Sequence, residues 1–264
     1  MILDNYTGLT LVSYPLNILI IFSFVITFIY ASLNNFSQLI KIISNSNVLL
    51  IPFFFFIIYT SIVFVILLVD VLVARYFVIF TYFLLLVFSI YKFKNFKFFY
   101  KKKYNYFISR LKKIKNFEKI ILFSFFTFYF LISILPISDA DSLNYHSGFA
   151  SIAIKNSNLN FLRNTEIIDF NFFFVGYGEI INFIGLSLGL DNFGSVINFS
   201  SIVLIFLYLL QNYRKNVSFV TISIISSPIL ISLISSQKNY LLPITLLSII
   251  FLNIHKNNFR KQDL

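Results

Sequence analysis

Seven stretches of the chain are apolar with little interruption: Leu11–Leu33, Val48–Val69, Val71–Tyr91, Ile120–Ile137, Phe193–Leu210, Val217–Ile234 and Tyr240–Ile254. A helix needs about 20 apolar residues to cross the hydrocarbon core. The pattern therefore predicts about seven transmembrane helices, the last of them short. Between the second and third stretches only Asp70 and Arg75 break a run too long for one helix, which predicts a tight hairpin near Asp70. A further segment, Phe172–Leu190, is apolar but contains Gly176, Gly178, Glu179, Gly185 and Gly189. It predicts an interfacial or re-entrant helix, with a full span as the alternative.

Composition narrows the class. Hydrophobic residues make up 58% of the 264 and charged residues 12%, where a soluble domain carries about 25% charged. So few charges cannot cover a water-exposed surface, which excludes a soluble globular enzyme and a disordered tail. The absence of Cys excludes a disulfide scaffold and a thiolate zinc module. The expected fold class is all-α, a polytopic integral membrane protein with an extracytoplasmic loop of short interfacial helices. Residues 1–91 form an N-terminal bundle of three spans, 92–118 a basic cytoplasmic loop, and 119–264 a second membrane region containing the loop 138–192.

The net charge of +11 changes the picture only through its distribution. Eleven of the 21 Lys and Arg lie between Lys92 and Lys119. A basic block between apolar spans is first a topology signal, because cytoplasmic loops collect Lys and Arg. It can also touch anionic headgroups. With no recognisable RNA- or DNA-binding motif, nucleic acid is not an expected partner. Placing the block inside puts the N-terminus outside, and Arg214, Lys215 and the C-terminal tail inside. The expected location is a bacterial inner (plasma) membrane. The N-terminus lacks a charged region and a small-residue cleavage site, so no removable signal peptide is expected.

One segment has the opposite charge. From Asp139 to Asp191 there are six acids (Asp139, Asp141, Glu166, Asp169, Glu179, Asp191) against Lys155 and Arg163. In the expected topology it lies on the outer side, and it contains His146. Pro136 ends the fourth span, and Ser138 three residues before Asp141 resembles a capping-box start. A helix from about Asp139 puts Asp141 and Tyr145 one turn apart, with His146 beside them. A carboxylate there can act as a general base or hold a divalent metal. Each feature also has a plain explanation: acids favour a first helical turn, and Tyr is a common interfacial anchor. Asp70 and Arg75 mark the hairpin more economically than a transport path.

The stretch Pro136-Ile-Ser-Asp-Ala-Asp141-Ser-Leu-Asn-Tyr145-His146 resembles the Asp-Ala-Leu-x-Tyr-His segment of multi-spanning glycosyltransferases of the GT-C superfamily, similar to the family 39 protein mannosyltransferases. Gly178-Glu179 resembles the internal acid of the family's next helix. Leu186-Ser-Leu-Gly-Leu-Asp191 resembles its Leu-Gly-x-Asp turn, and Ser227-Pro228 also fits. The likeness covers about Phe117–Asn253 and corresponds to the N-terminal half of such an enzyme. It implies transfer of a sugar from a polyprenyl-phosphate donor to a lipid, glycan or protein acceptor at the outer face. It implies Asp141 as base or metal ligand, assisted by Asp139, with Tyr145, His146 and Glu179 at the substrate. A divalent metal ion is the one cofactor it suggests. Membrane lipids and a second chain completing the fold are the expected partners besides the donor. A non-catalytic polytopic protein (a transporter, flippase component or degenerate, truncated paralogue) is the alternative.

Overall fold

The computed structural model describes residues 4–35, 50–135, 148–159, 176–213 and 217–262. Among the described residues there are ten helices and no strand: α1 (Asp4–Asn35), α2 (Ile51–Val69), α3 (Val71–Lys112), α4 (Asn116–Ile134), α5 (Gly148–Asn156), α6 (Tyr177–Ser187), α7 (Phe193–Asn212), α8 (Val217–Ile225), α9 (Ile229–Ser235) and α10 (Leu241–Gln262). Five are long and apolar enough to cross a membrane: α1 over Leu16–Leu33, α2, α3 over Val71–Tyr91, α4 and α7. The chain is an all-helical polytopic membrane protein.

The hairpin forms where the sequence predicts it. Asp70 alone separates α2 from α3, in an extended conformation. Its amide donates to the Ile66 carbonyl at 2.9 Å, and its carboxylate accepts from the Val73 amide at 2.9 Å. One residue thus closes one helix and caps the next, with its negative charge at the positive end of the α3 dipole.

The basic stretch differs from the predicted loop. α3 runs on as a single helix of 42 residues, about 63 Å at 1.5 Å per residue. No Gly or Pro occurs between Val71 and Lys115, so nothing in the backbone ends the helix at the last apolar turn. Its far end is tied back to the bundle. Arg110 donates through Nε to the Leu210 carbonyl at 3.1 Å and through Nη2 to the Tyr213 carbonyl. A cation thereby caps the negative end of α7.

The sixth predicted span is not one straight helix. It breaks at Ser226–Pro228, and α8 and α9 meet at 71°. Pro228 has no amide hydrogen for the Ile224 carbonyl. The groups at the break find partners: the Ser226 amide keeps its helical bond to Ile222 at 2.9 Å, the Ser227 amide takes the Ile224 carbonyl at 3.2 Å, and the buried Tyr129 hydroxyl donates to the Ile225 carbonyl. Tyr129→Phe leaves that carbonyl unpaired, at a cost of about 1–3 kcal/mol. Thermal unfolding in detergent should show a lowered midpoint. An unchanged midpoint would mean the break is held without this hydroxyl.

The remaining helices pack around α7. Phe193, Val196, Leu204 and Tyr208 join the core made with α1, α2, α3, α5, α6 and α10. Ile202, Phe206, Leu209 and Leu210 join the core made with α4, α8 and α9. Of the α7 span 72% is buried, against 17% for α3 and for α4. α7 is therefore the shared wall between two cores, and lipid meets mainly the others.

Candidate functional site

In α7 and at its cap, an apolar sequence is marked at every third residue by Asn192, Ser195, Asn198 and Ser201, and all four are buried. Polar side chains inside a span need partners. Three of these four find them at the end of the bundle where α7 begins. There the chain leaves the helix after α9 and runs without regular structure from Ser236 to Tyr240 before α10. Ser236, Gln237 and Asn239 of this non-helical stretch are buried in the protein, the condition under which a membrane tolerates such backbone.

Amide side chains satisfy it. Asn198 Nδ2 donates to the carbonyls of Leu233 (2.8 Å), Ser236 (3.3 Å) and Lys238 (3.3 Å). The Gln237 carbonyl accepts from Asn182 Nδ2 at 3.2 Å and Asn239 Nδ2 at 3.0 Å. The Gln237 side chain accepts from the Gly194 amide at 3.0 Å and donates to Ser195 Oγ at 3.1 Å. Asn239 Nδ2 also reaches the Gly178 carbonyl at 3.2 Å. The result is a buried amide knot joining α6, α7 and the Ser236–Tyr240 segment. Its side chains are uncharged. The Oδ1 atoms of Asn192, Asn198 and Asn239 are buried there and accept no hydrogen bond from the protein, so the knot has acceptor capacity to spare.

Local sequence explains how α6 reaches it. α6 has 11 residues, about 16 Å, too short to cross about 30 Å of hydrocarbon. The predicted interfacial or re-entrant helix fits this length and the alternative of a full span does not, with residues 172–175 outside the described set. Gly189 ends α6 at φ +75°, with the Leu190 amide on the Gly185 carbonyl and the Gly189 amide on Leu186. This is a Schellman turn, and its left-handed residue favours glycine. A Cβ on Gly185 would stand 2.7 Å from the Leu190 carbonyl and 2.4 Å from Phe193 Cβ, so α6 and α7 meet only across a glycine.

The predicted site residues divide between described and undescribed positions. Glu179 is described and half-buried, and its Oε2 accepts from the Gly176 amide at 2.7 Å, closing the first turn of α6. Asp139, Asp141, Tyr145 and His146 lie outside the described residues, as does the helix start predicted at Asp139. Their flanks are placed. Asn192 Nδ2 donates to the Ile134 carbonyl at 3.1 Å, tying the end of α4 to the start of α7. Gly148 opens α5, which packs on α6. Among the described residues no three His, Cys, Asp or Glu side chains stand together to hold a metal ion.

Two further groups at this end have chemistry the sequence reading did not assign. Asp191 sits just before α7. Burial raises its carboxyl above the usual range, partly offset by its own amide and that of Asn192. It therefore keeps its proton to higher pH than an exposed aspartate. The Tyr177 hydroxyl accepts from Thr60 Oγ1 at 2.6 Å, pinning α6 to α2, and burial pushes this phenol up to about 12. The available signal for the knot was the three-residue spacing of polar positions along α7.

The family model of the DUF1420 N-terminal domain matches residues 87–261, well over half of the chain. The chain belongs to the DUF1420 family. No curated protein and no solved structure matches it. The DUF1420 match starts within α3 and takes in α4 to α10, so it holds the whole knot and the Asp139–His146 segment. All of α1 and α2 and the start of α3 lie outside it.

Within this DUF1420 region Gly194 is where the knot tolerates least. A Cβ there would stand 2.3 Å from Gln237 Oε1, 2.6 Å from Asn182 Oδ1 and 2.9 Å from Asn239 Nδ2. All three amides are buried and bonded to one another or to backbone, so none can swing away freely. Gly194→Ala is expected to destabilise by about 1–3 kcal/mol, as overpacking does, despite alanine's better helix propensity. Gly194→Ala melting at the wild-type temperature in detergent would refute a tightly closed knot.

Proposed function

We propose that the chain is a membrane glycosyltransferase that moves a sugar from a polyprenyl-phosphate donor to a lipid, glycan or protein acceptor at the outer face. The observation that carries this reading is the amide knot. It builds a polar, rigid end on an apolar bundle, and the described residues on either side of the Asp139–His146 segment are Leu135, next to the Ile134 carbonyl that Asn192 holds, and Gly148 at the start of α5. A transfer site at this end would let a prenyl chain stay in lipid while its phosphosugar head meets polar protein.

The topology of this proposal has seven crossings. The α8–α9 pair counts as one bent span and Leu241–Ile254 of α10 as the last. The basic half of α3 and the C-terminus are cytoplasmic, and loop 138–192 with the N-terminus is outside. In the proposed reaction Asp141 takes the proton of the acceptor hydroxyl. The acceptor oxygen bonds to the anomeric carbon as the bond to the donor phosphate breaks. Asp139 assists, Tyr145 and His146 line the substrate, and Glu179 supports them from the first turn of α6. A divalent ion, if bound, would be held at Asp141 and would supply charge for the leaving phosphate.

The test is sugar transfer in reconstituted membranes with labelled polyprenyl-phosphate sugars, wild type beside Asp141→Asn, with and without the product of the neighbouring gene. Transfer lost in the variant at equal abundance supports the reading. Transfer only with the second product means a fold completed by two chains. One observation favours a second reading, a transporter or flippase component: broken spans such as α8–α9 are where transporters build their binding sites. Movement of the labelled lipid between leaflets, with no sugar transferred, would select it.

A further inference from the structure

Arg75 is a half-buried guanidinium whose charge no side chain of the described protein is seen to match. It stands on α3, at the edge of the face that Val71, Ala74 and Val78 bury. Its Nε is buried and has no hydrogen-bond partner. The acid nearest in sequence, Asp70, gives its carboxylate to the Val73 amide. A five-residue separation also puts it on another side of the helix, at 3.6 residues per turn.

The level of Arg75 in the bundle follows from its neighbours. Tyr59 bonds to Thr81 at 2.9 Å, and the adjacent Thr60 bonds to Tyr177 at the start of α6. Arg75 lies six residues nearer the α2–α3 turn than Thr81, about 9 Å further along the axis. α3 packs against both α5 and α6. The guanidinium is therefore held near the end of its span, past the level at which α6 begins. A charge in hydrocarbon costs about 2.5–3.5 kcal/mol even on the lower scales, so a long basic side chain near a span end extends to the interface. The anionic group most abundant there is a lipid phosphate. The planar fork of Arg offers it paired N–H donors, which a lysine ammonium cannot do.

We infer that Arg75 binds the phosphate group of a membrane lipid at the end of the bundle that carries α5 and α6. The inference stands on the membrane fold alone. If the glycosyltransferase reading holds as well, it supplies a ligand for the donor phosphate from a position that precedes the family match.

The experiment uses the full chain in maltoside micelles, which contain no phosphate. Dodecyl phosphate is titrated and followed by calorimetry, with inorganic phosphate as the second arm. Wild type should bind dodecyl phosphate saturably, and Arg75→Gln should bind at least tenfold more weakly. Arg75→Lys should fall between them, while Lys155→Gln, an exposed cation on α5, should match wild type. Equal binding by wild type and Arg75→Gln would overturn the inference. Inorganic phosphate binding as tightly as dodecyl phosphate would overturn the assignment to a lipid. Should Arg75→Gln fail to fold, the lysine variant decides: full affinity for dodecyl phosphate removes the role claimed for the guanidinium. Sugar transfer is not read in this experiment, so its failure and that of the proposed activity are separate.

Discussion

Asn198→Leu is expected to lower the unfolding midpoint in detergent more than any other single change in α7. Leucine keeps the branching and heavy-atom count of the side chain and suits a span, so hydropathy alone would favour it. What it removes is one amide donating to the Leu233, Ser236 and Lys238 carbonyls. These belong to the end of α9 and the non-helical segment after it, and Asn198 itself is fully buried. Each carbonyl keeps one other donor, Ser236 Oγ on Leu233, Ser195 Oγ on Ser236 and the Tyr240 amide on Lys238; what is lost is three hydrogen bonds at about 0.5–1.5 kcal/mol each, so a loss of a few kcal/mol is expected even without strict additivity. Ser200→Ala is the matched control. Its hydroxyl bonds only to the Val196 carbonyl of its own helix at 2.8 Å, and its loss should be nearly neutral. Equal midpoints for the two variants would show that Asn198 does not hold the segment in place.

The second large effect concerns activity. If Asp141 is the base of the proposed transfer, Asp141→Asn should lower the rate by about 10²–10⁴-fold, the usual contribution of a positioned base. The knot is built from other residues, so membrane abundance and melting should stay at wild-type values. Loss of rate together with loss of folded protein would instead make Asp141 a structural residue. A rate within threefold of wild type would remove Asp141 from the chemistry and, with it, the main support for the glycosyltransferase reading.

The sequence showed some elements plainly. Asp70 was legible because a charge in a long apolar run is costly anywhere but at a turn. The short α6 was legible because its glycines and Glu179 dilute an otherwise apolar segment. The bend at Ser226–Pro228 was not, since a hydropathy window sums side chains and is blind to direction. Pro228 was visible, but kink and straight span look alike until Tyr129, about a hundred residues earlier, is found holding the Ile225 carbonyl. The helical course of Lys92–Lys112 was missed for a related reason. Charge reports which residues avoid lipid, whereas helix persistence depends on the lack of Gly and Pro. The knot gathers Asn182, Gln237 and Asn239 from separate elements, and only the polar ladder on α7 announced it. For the candidate site, the sequence proposed Asp139, Asp141, Tyr145 and His146; the structure adds a fixed polar neighbour to their flanks.

The central place of α7 bears on how the protein is made. Two rungs of its polar ladder, Ser195 and Asn198, are satisfied by chain that follows it, from Leu233 onward. While synthesis stands at Tyr213, Asn198 has nothing to donate to, and the flank of α7 destined for α8 and α9 faces lipid or the insertion machinery. The helix that ends up most enclosed therefore settles only once later chain arrives. Assembly of this membrane protein runs backward along the chain at this point: late segments decide whether an earlier helix can settle. A nascent chain stopped before α9 would display exposed amides within the bilayer, a signal that membrane quality control can read.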